Sequence, residues 1–359
     1  WNVLSNLTAS VTAEVRIDTT KLTTGKLNVT IDGVTVDSIA TGENSTRLYG
    51  VTSDLSVTAA APGTDVSTAS YRAASSSVAG QVAGAEGVVF NDDGTKLYVV
   101  SADGNDTVYA YDLSVPYDAG TATYNGEELY IEDSAADPTD LYLSPAGDYL
   151  FVTDDDGTTQ TVWRWELGTA FDVSSALSPT SVDVSAQFGT SDTLTGIHFN
   201  DDGSKMYLLR NGASEAVLEY TLTTNYQLSS GVSYSTAYIL SSSRGGLNPQ
   251  ALAFNDTGTR MFVMDQNSDG MVHQYNLSTA FLVSSASYSF RNLTLSPADN
   301  PTGLAFSATG TQFVVTDPSN SVYGYQLDSG FDLTSGEFDD DQTSVTGNEA
   351  VRFGDGGAA

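Results

Sequence analysis

The chain has 359 residues, with 45 Asp and Glu against 13 Lys and Arg, for a net charge of −32. No basic cluster interrupts this background, which excludes a nucleic-acid-binding face. The absence of Cys excludes disulfides, thiolate catalysis and cysteine-held zinc. No run of about 18 apolar residues occurs, so no membrane-spanning helix is expected.

Residues 1–62 read as a small β-sandwich of Ig-like type that attaches the chain to a larger assembly. Residues 11–17 and 27–31 alternate apolar with polar side chains, and Asp32-Gly33 is a hairpin signal before Val34-Thr35-Val36. Residues 47–51 and 55–60 are further strand candidates, which a closing propeller blade also claims.

From residue 63 a single phrase recurs. Val88-Val89-Phe90-Asn91-Asp92-Asp93-Gly94 is an apolar strand ending in a turn with Gly, and it returns at 141–147, 197–203, 252–258, 304–310 and 351–357. After each of the first five comes a second strand such as Leu97-Tyr98-Val99-Val100, then a third such as Val108-Tyr109-Ala110-Tyr111. A Ser/Thr-rich segment with an aromatic, as at 281–288, supplies the fourth. The landmarks Phe90, Leu143, Phe199, Phe254 and Phe306 lie roughly 50 to 56 residues apart, the period of propeller blades. A four-stranded sheet cannot bury both faces alone, so such units stack around an axis.

The expected fold is therefore all-β, a β-propeller over 63–359 behind the small Ig-like sandwich. Residues 65–71 match 282–288, which places a fourth-type strand ahead of the first repeat. Residues 351–353 read as a first-type strand without a successor. A closing blade shared between the chain ends gives six blades, five of them full repeats; a five-bladed ring is the alternative.

Propellers commonly bind at the face where the inner strands begin. Asp137, Asn248 and Asn300 stand there, each before a Pro, and are the candidate funnel-binding residues. Their oxygens suit Ca²⁺, although Asn or Asp before Pro is also ordinary turn chemistry. Asp265, Asn267 and Asp269 follow the alternation of a calcium loop, but the position of its closing Glu holds Asn276. No cofactor is required by these patterns, and Ca²⁺ is the ion they would take. Asn6, Asn28, Asn44, Asn105, Asn255, Asn276 and Asn292 begin glycosylation sequons. The two histidines, His198 and His273, fill slots held in sister repeats by apolar or aromatic residues, with Arg352 the exception, and read as packing residues. Without Cys and without a His placed to activate a Ser, nucleophilic triads lack their parts. The expectation is a protein that is not an enzyme and has no catalytic residues.

The phrase Pro301-Thr302-Gly303-Leu304-Ala305-Phe306, the turn from Asn200 to Tyr207 and the segment from Tyr275 to Phe281 together resemble known repeats. They are similar to the propeller repeats of marine tailed-phage virion proteins and prokaryotic surface proteins, related loosely to NHL and YVTN propellers. The resemblance covers residues 65–357. It implies an extracellular or virion-surface structural and adhesion protein, of tail-fibre or host-attachment type, that meets other virion or surface-assembly proteins, a host glycan or protein, and copies of itself. The acidic excess suits a saline, halophilic setting, where salt screens self-repulsion. Two alternatives stand beside this: a cell-surface or extracellular-filament subunit of a halophilic microbe, and a calcium-dependent lactonase-like hydrolase.

Overall fold

The computed structural model describes residues 69–327, apart from 103, 241–245, 268–269, 297 and 299, together with four earlier segments. These are β1 (Arg16–Ile17), β2 (Leu27–Ile31), β3 (Val34–Ile39) and β4 (Thr46–Arg47). The chain divides into two compact units, one of Trp1–Ala61 with Leu333–Ala359 and one of Pro62–Asp332. In the first unit β2 and β3 form an antiparallel hairpin with Ile31 opposite Val34, as the Asp32-Gly33 signal requires. β1 pairs with β4, Ile17 opposite Thr46. The expected Ig-like sandwich falls mostly on residues outside the described ones, 55–60 among them.

The second unit is a propeller of five four-stranded antiparallel sheets. Blade 1 is β6 (Ala85–Phe90), β7 (Lys96–Ser101), β8 (Thr107–Leu113) and β9 (Ala122–Tyr130). Blade 2 is β10 (Pro138–Leu143), β11 (Tyr149–Asp155), β12 (Gln160–Glu166) and β13 (Thr180–Asp183). Blade 3 is β14 (Thr193–Phe199), β15 (Lys205–Asn211), β16 (Ala216–Leu222) and β17 (Val232–Ile239). Blade 4 is β18 (Pro249–Phe254), β19 (Arg260–Asp265), β20 (Met271–Leu277) and β21 (Ala286–Thr294). Blade 5 is β22 (Leu304–Phe306), β23 (Gln312–Asp317) and β24 (Ser321–Leu327), completed by β5 (Ala69–Ser77) from the start of the unit.

Burial explains why these strands read as they do. The second strand of each blade is covered on both faces, so it is apolar at consecutive positions: Leu97, Tyr98, Val99 and Val100 are all fully buried. The core lies between blades. Leu97, Val99 and Tyr111 of blade 1 cluster with Ala305, Val314 and Val322 of blade 5, while Tyr98, Val100 and Val108 turn the other way onto Leu141, Leu150 and Trp165 of blade 2.

β5 pairs antiparallel with β24 and so closes the ring non-covalently. This corrects the six-blade expectation. The fourth-type strand expected ahead of the first repeat is present as β5, but it finishes blade 5. β22 and β23 of blade 5 lie directly against β6 of blade 1, which leaves no gap for a sixth sheet. Residues 351–353, the inner strand expected for that blade, lie outside the described residues.

One local device recurs in blades 1 to 4. An aromatic residue after the third strand adopts the left-handed conformation: Tyr117 (φ 60°), Phe171 (φ 62°), Tyr226 (φ 60°) and Phe281 (φ 56°). Its N–H donates to the carbonyl of the turn glycine of the same blade, Gly94, Gly147, Gly203 or Gly258. Its ring lies flat over that glycine, where a Cβ would meet ring atoms at 2.6 Å or less. A left-handed non-glycine residue costs about 1 to 2 kcal/mol and is held only where its surroundings insist on it. Here the freed carbonyl also ties blades together. The Tyr98 hydroxyl of blade 1 donates to the Phe171 carbonyl of blade 2 at 2.6 Å, and Tyr207 of blade 3 donates to the Phe281 carbonyl of blade 4 at 2.7 Å.

Candidate functional site

Each inner strand starts at one end of the central channel and finishes at the other, and the two ends differ in chemistry. At the starting end stand the funnel residues expected from sequence. Asp137 is exposed, and its N–H donates to Asp154 Oδ1 at 2.9 Å. Asn248 Oδ1 accepts from Asn211 Nδ2 at 2.6 Å and from Gln250 Nε2 at 3.0 Å, while its own amide donates to Gln266 Oε1 at 3.0 Å. Gln266 Nε2 in turn donates to the Asn300 carbonyl at 3.2 Å. The structure thus links Asn248 and Asn300 through Gln266 in an amide chain from blade 3 to blade 5. Asp137 is not part of it.

Asp265 is buried at 4% exposure, with Oδ1 accepting from the N–H groups of Asn248 and Asn267. Its Oδ2 faces His273 Nε2 at 3.5 Å. Burial raises the Asp265 carboxyl, but the His273 contact and the two backbone amides outweigh it and hold the carboxyl below its usual value. The Asn267 side chain donates to the Gly246 carbonyl, and Asp269 lies outside the described residues. Among the described residues no group of three or more His, Asp or Glu is arranged to hold a metal ion.

Of the sequon residues, Asn105 and Asn276 are exposed. Asn255 spends its side chain inside its own turn, donating to Thr257 and Thr259 and accepting from the Arg260 N–H. Asn292 donates to the Tyr288 hydroxyl at 3.3 Å. Asn6 and Asn44, and the side chain of Asn28, lie outside the described residues.

The finishing end opens into a cavity of about 420 Å³ lined by the last residues of all five inner strands. Along the channel, the position three before each landmark holds Gly87, Asp140, Gly196, Ala251 and Gly303. The small residues let neighbouring inner strands meet: a Cβ on Gly303 would lie 2.5 Å from the Glu86 carbonyl oxygen. Asp140 is the exception. It is 4% exposed, with Oδ1 accepting from its neighbour's N–H (Leu141, 2.8 Å) and Oδ2 from the Ile197 N–H of blade 3 at 3.0 Å. Burial drives its carboxyl well up, against the pull of those two amides.

The next layer toward the mouth holds Tyr142 and His198, their rings edge to face at 5.3 Å. Burial lowers the His198 imidazole to about 3, so it stays neutral. At the mouth the turn residues Asp92, Asp201 and Asp256 are exposed, with Pro145 and Ala308 completing the lining. Partial burial, then repulsion from a neighbouring carboxylate (Asp256 beside Asp201, Asp92 beside Asp256), raises the carboxyls of Asp201 and Asp256. The cavity therefore offers an apolar wall, a neutral imidazole, a phenol and a carboxylate rim, a setting that favours a small ligand bearing positive charge.

Sequence reasoning missed this end. His198 packs between Tyr142 and Phe254, with ring centroids 5.3 Å from each, and in doing so also lines the cavity. Asp92, Asp201 and Asp256 belong to the recurring turns, which the sequence does not tie to any site. The available signal was Asp140, a charged residue in a column otherwise of Gly and Ala.

No protein-family model matches the sequence, and no curated protein sequence is similar to it. Solved structures similar in fold include a luciferin-regenerating enzyme (13% identity, TM-score 0.43, covering 72% of this chain and 97% of that one). Another is the periplasmic gluconolactonase PpgL of Pseudomonas aeruginosa (17%, TM-score 0.40, covering 64% of each chain). A third is the β-propeller domain of Cps50 (Swd1) of Myceliophteria thermophila (11%, TM-score 0.39, covering 69% and 97%). At these identities the likeness is one of fold, and no activity is carried across. The expectation that the chain is not an enzyme does not stand, because missing Cys and Ser–His pairs exclude only triad-type nucleophiles and leave carboxylate nucleophiles, acid–base and electrostatic catalysis open.

Proposed function

We propose that this chain is a structural and binding protein of an extracellular or virion surface, whose propeller holds a rigid face toward a host or a neighbouring subunit. The alternative setting within the same reading is a surface or filament subunit of a halophilic microbe. The observation that carries the proposal is the closed ring itself. Five blades are locked by buried inter-blade bonds without any disulfide, so the loops at either end are held on a stiff frame. The acidic surface keeps such a body soluble at high salt and steers it toward cationic groups.

The amide oxygen of Asn248 is already engaged by two protein donors, so the geometry gives the funnel-calcium lactonase reading no added support. The test is binding of the purified chain to intact cells and to particles from the same source, at low and high salt, with lactone hydrolysis measured on the same preparation. Saturable binding to cells or particles is the expected result. Absence of binding at every salt concentration would sink the proposal, and chelator-sensitive lactone turnover would replace it.

A further inference from the structure

The recurring turn at the finishing end of each inner strand is built by the side chains at its first and third positions. In blade 1, Asn91 Oδ1 accepts from the Lys96 N–H and Asp93 Oδ1 from the Thr95 N–H; Asn200 and Asp202 repeat both bonds in blade 3. The second position takes no part. Blades 2 and 5 place Pro145 and Ala308 there, and their turns still close, Gly147 donating to the Ser144 carbonyl and Gly310 to the Ser307 carbonyl. Blades 1, 3 and 4 place Asp92, Asp201 and Asp256 there. Among the described residues none of the three is ion-paired with Lys or Arg. Asp201 feels Asp256, and Asp256 feels Asp92, as like charges. Three carboxylates are thus gathered at one mouth, repelling one another, with no task in the turns that carry them.

That mouth leads into the cavity of about 420 Å³, a size typical of small-molecule sites. The wall below it is uneven. Tyr142 and His198 stand on blades 2 and 3, while the same layer holds only Val89, Ala253 and Ala305 on the other three. A neutral imidazole has one donor and one acceptor nitrogen. Among the described residues neither nitrogen of His198 has a hydrogen-bond partner. A wholly apolar occupant would strip both of water and replace neither bond.

We infer that this cavity binds a small organic ammonium ion. Its charged nitrogen lies among Asp92, Asp201 and Asp256, and its apolar body reaches inward to set one hydrogen-bonding atom against His198. Other occupants fit less well. No group of three or more His, Asp or Glu among the described residues is placed to hold a metal ion, so the rim carboxylates do not share one. A lysine side chain of a partner would enter charge first and carry its ammonium past the carboxylates to a neutral imidazole. An anion would meet the repulsion of the rim. The inference goes beyond the surface-assembly reading and does not depend on it.

The experiment is calorimetric titration of the full chain with amino alcohols of about three to six carbons, at low salt and at about 1 M NaCl. The n-alkylamines and diols of equal length are the controls. At least one amino alcohol should bind saturably at low salt, about tenfold more tightly than its diol, and lose affinity at high salt. Its alkylamine should bind about threefold or more weakly, for want of a partner to His198. Asp201→Asn combined with Asp256→Asn should weaken binding about tenfold or more while raising the melting temperature, a combination that loss of folding does not produce. His198→Val installs the residue that blade 1 carries in the same layer. It should keep the salt dependence and lose the preference for the amino alcohol over the alkylamine. Asp133→Asn, at the other end of the channel, should bind as wild type does. The inference is overturned by any of four results: no saturable binding of any amino alcohol, binding unchanged by the two rim substitutions, a preference that survives His198→Val, or displacement by Ca²⁺ at equal concentration. Binding to cells or particles, measured separately, reports on the surface-assembly reading, so the two can fail independently.

Discussion

Glu86 occupies the channel position that Thr139, Thr195, Gln250 and Thr302 fill in the other blades. Two of those threonines bridge blades: the Thr195 hydroxyl donates to the Pro249 carbonyl, and the Thr302 hydroxyl to the Ala85 carbonyl. Glu86 has no such device, and burial raises its carboxyl from 4.5 to about 7. Between those values the folded chain holds a proton that the unfolded chain has released. Stability therefore falls as pH rises through that window and levels off above about 7. Glu86→Gln should match wild type near pH 4 and exceed it by about 1 to 3 kcal/mol at pH 8. Denaturant midpoints at the two pH values check this, and equal differences at both would refute it. Asp140 makes the contrasting case. Its two oxygens accept from two backbone N–H groups in different blades, and an amide has one acceptor oxygen to offer. Asp140→Asn should cost about 1 to 3 kcal/mol in the same measurement. A neutral outcome would mean that one of the two bonds contributes nothing.

At the level of elements, ring closure depends on one strand. β5 supplies six register pairs to β24, from Ser321 opposite Ser77 to Leu327 opposite Ala69. A proline at position 76, opposite Val322, removes a ladder donor and should cost about 3 kcal/mol. Hydrogen exchange locates the loss: in Ser76→Pro the amides of β24 should lose protection while those of β20 keep theirs. Uniform loss across all blades, or none, would refute closure through β5. The strands themselves were legible in sequence because burial on both faces writes consecutive apolar runs such as Met206-Tyr207-Leu208-Leu209, and because each turn needs its glycine. The blade count was not legible. Residues 65–71 resemble a fourth strand whichever blade they join, and only pairing with β24 decides. The cavity was hidden for a related reason. Asn91-Asp92-Asp93-Gly94 is adequate turn chemistry by itself, and nothing local shows that three such turns converge on one channel mouth. The left-handed Phe171 and Phe281 also look like ordinary apolar residues until their carbonyls are seen accepting from Tyr98 and Tyr207 of the neighbouring blades.

For the whole molecule, charge is the property that outside conditions control most directly. A net charge of −32 on 359 residues repels itself more in the compact state than in the extended chain. Asp201 and Asp256 show the effect locally, since each is held above its usual carboxylate value partly by a neighbouring Asp. Salt shortens the reach of that repulsion from about 10 Å at 0.1 M to about 3 Å at 1 M. The melting temperature should therefore climb steadily with NaCl over this range, with KCl giving the same curve because screening does not distinguish the ions. Asp201→Asn combined with Asp256→Asn should raise the melting temperature at low salt and flatten the slope, since the mouth then contributes less repulsion for salt to relieve. A wild-type curve that is flat between those salt concentrations would show that the carboxylates lie far enough apart to be tolerated, and the argument for a saline setting would lose its physical basis.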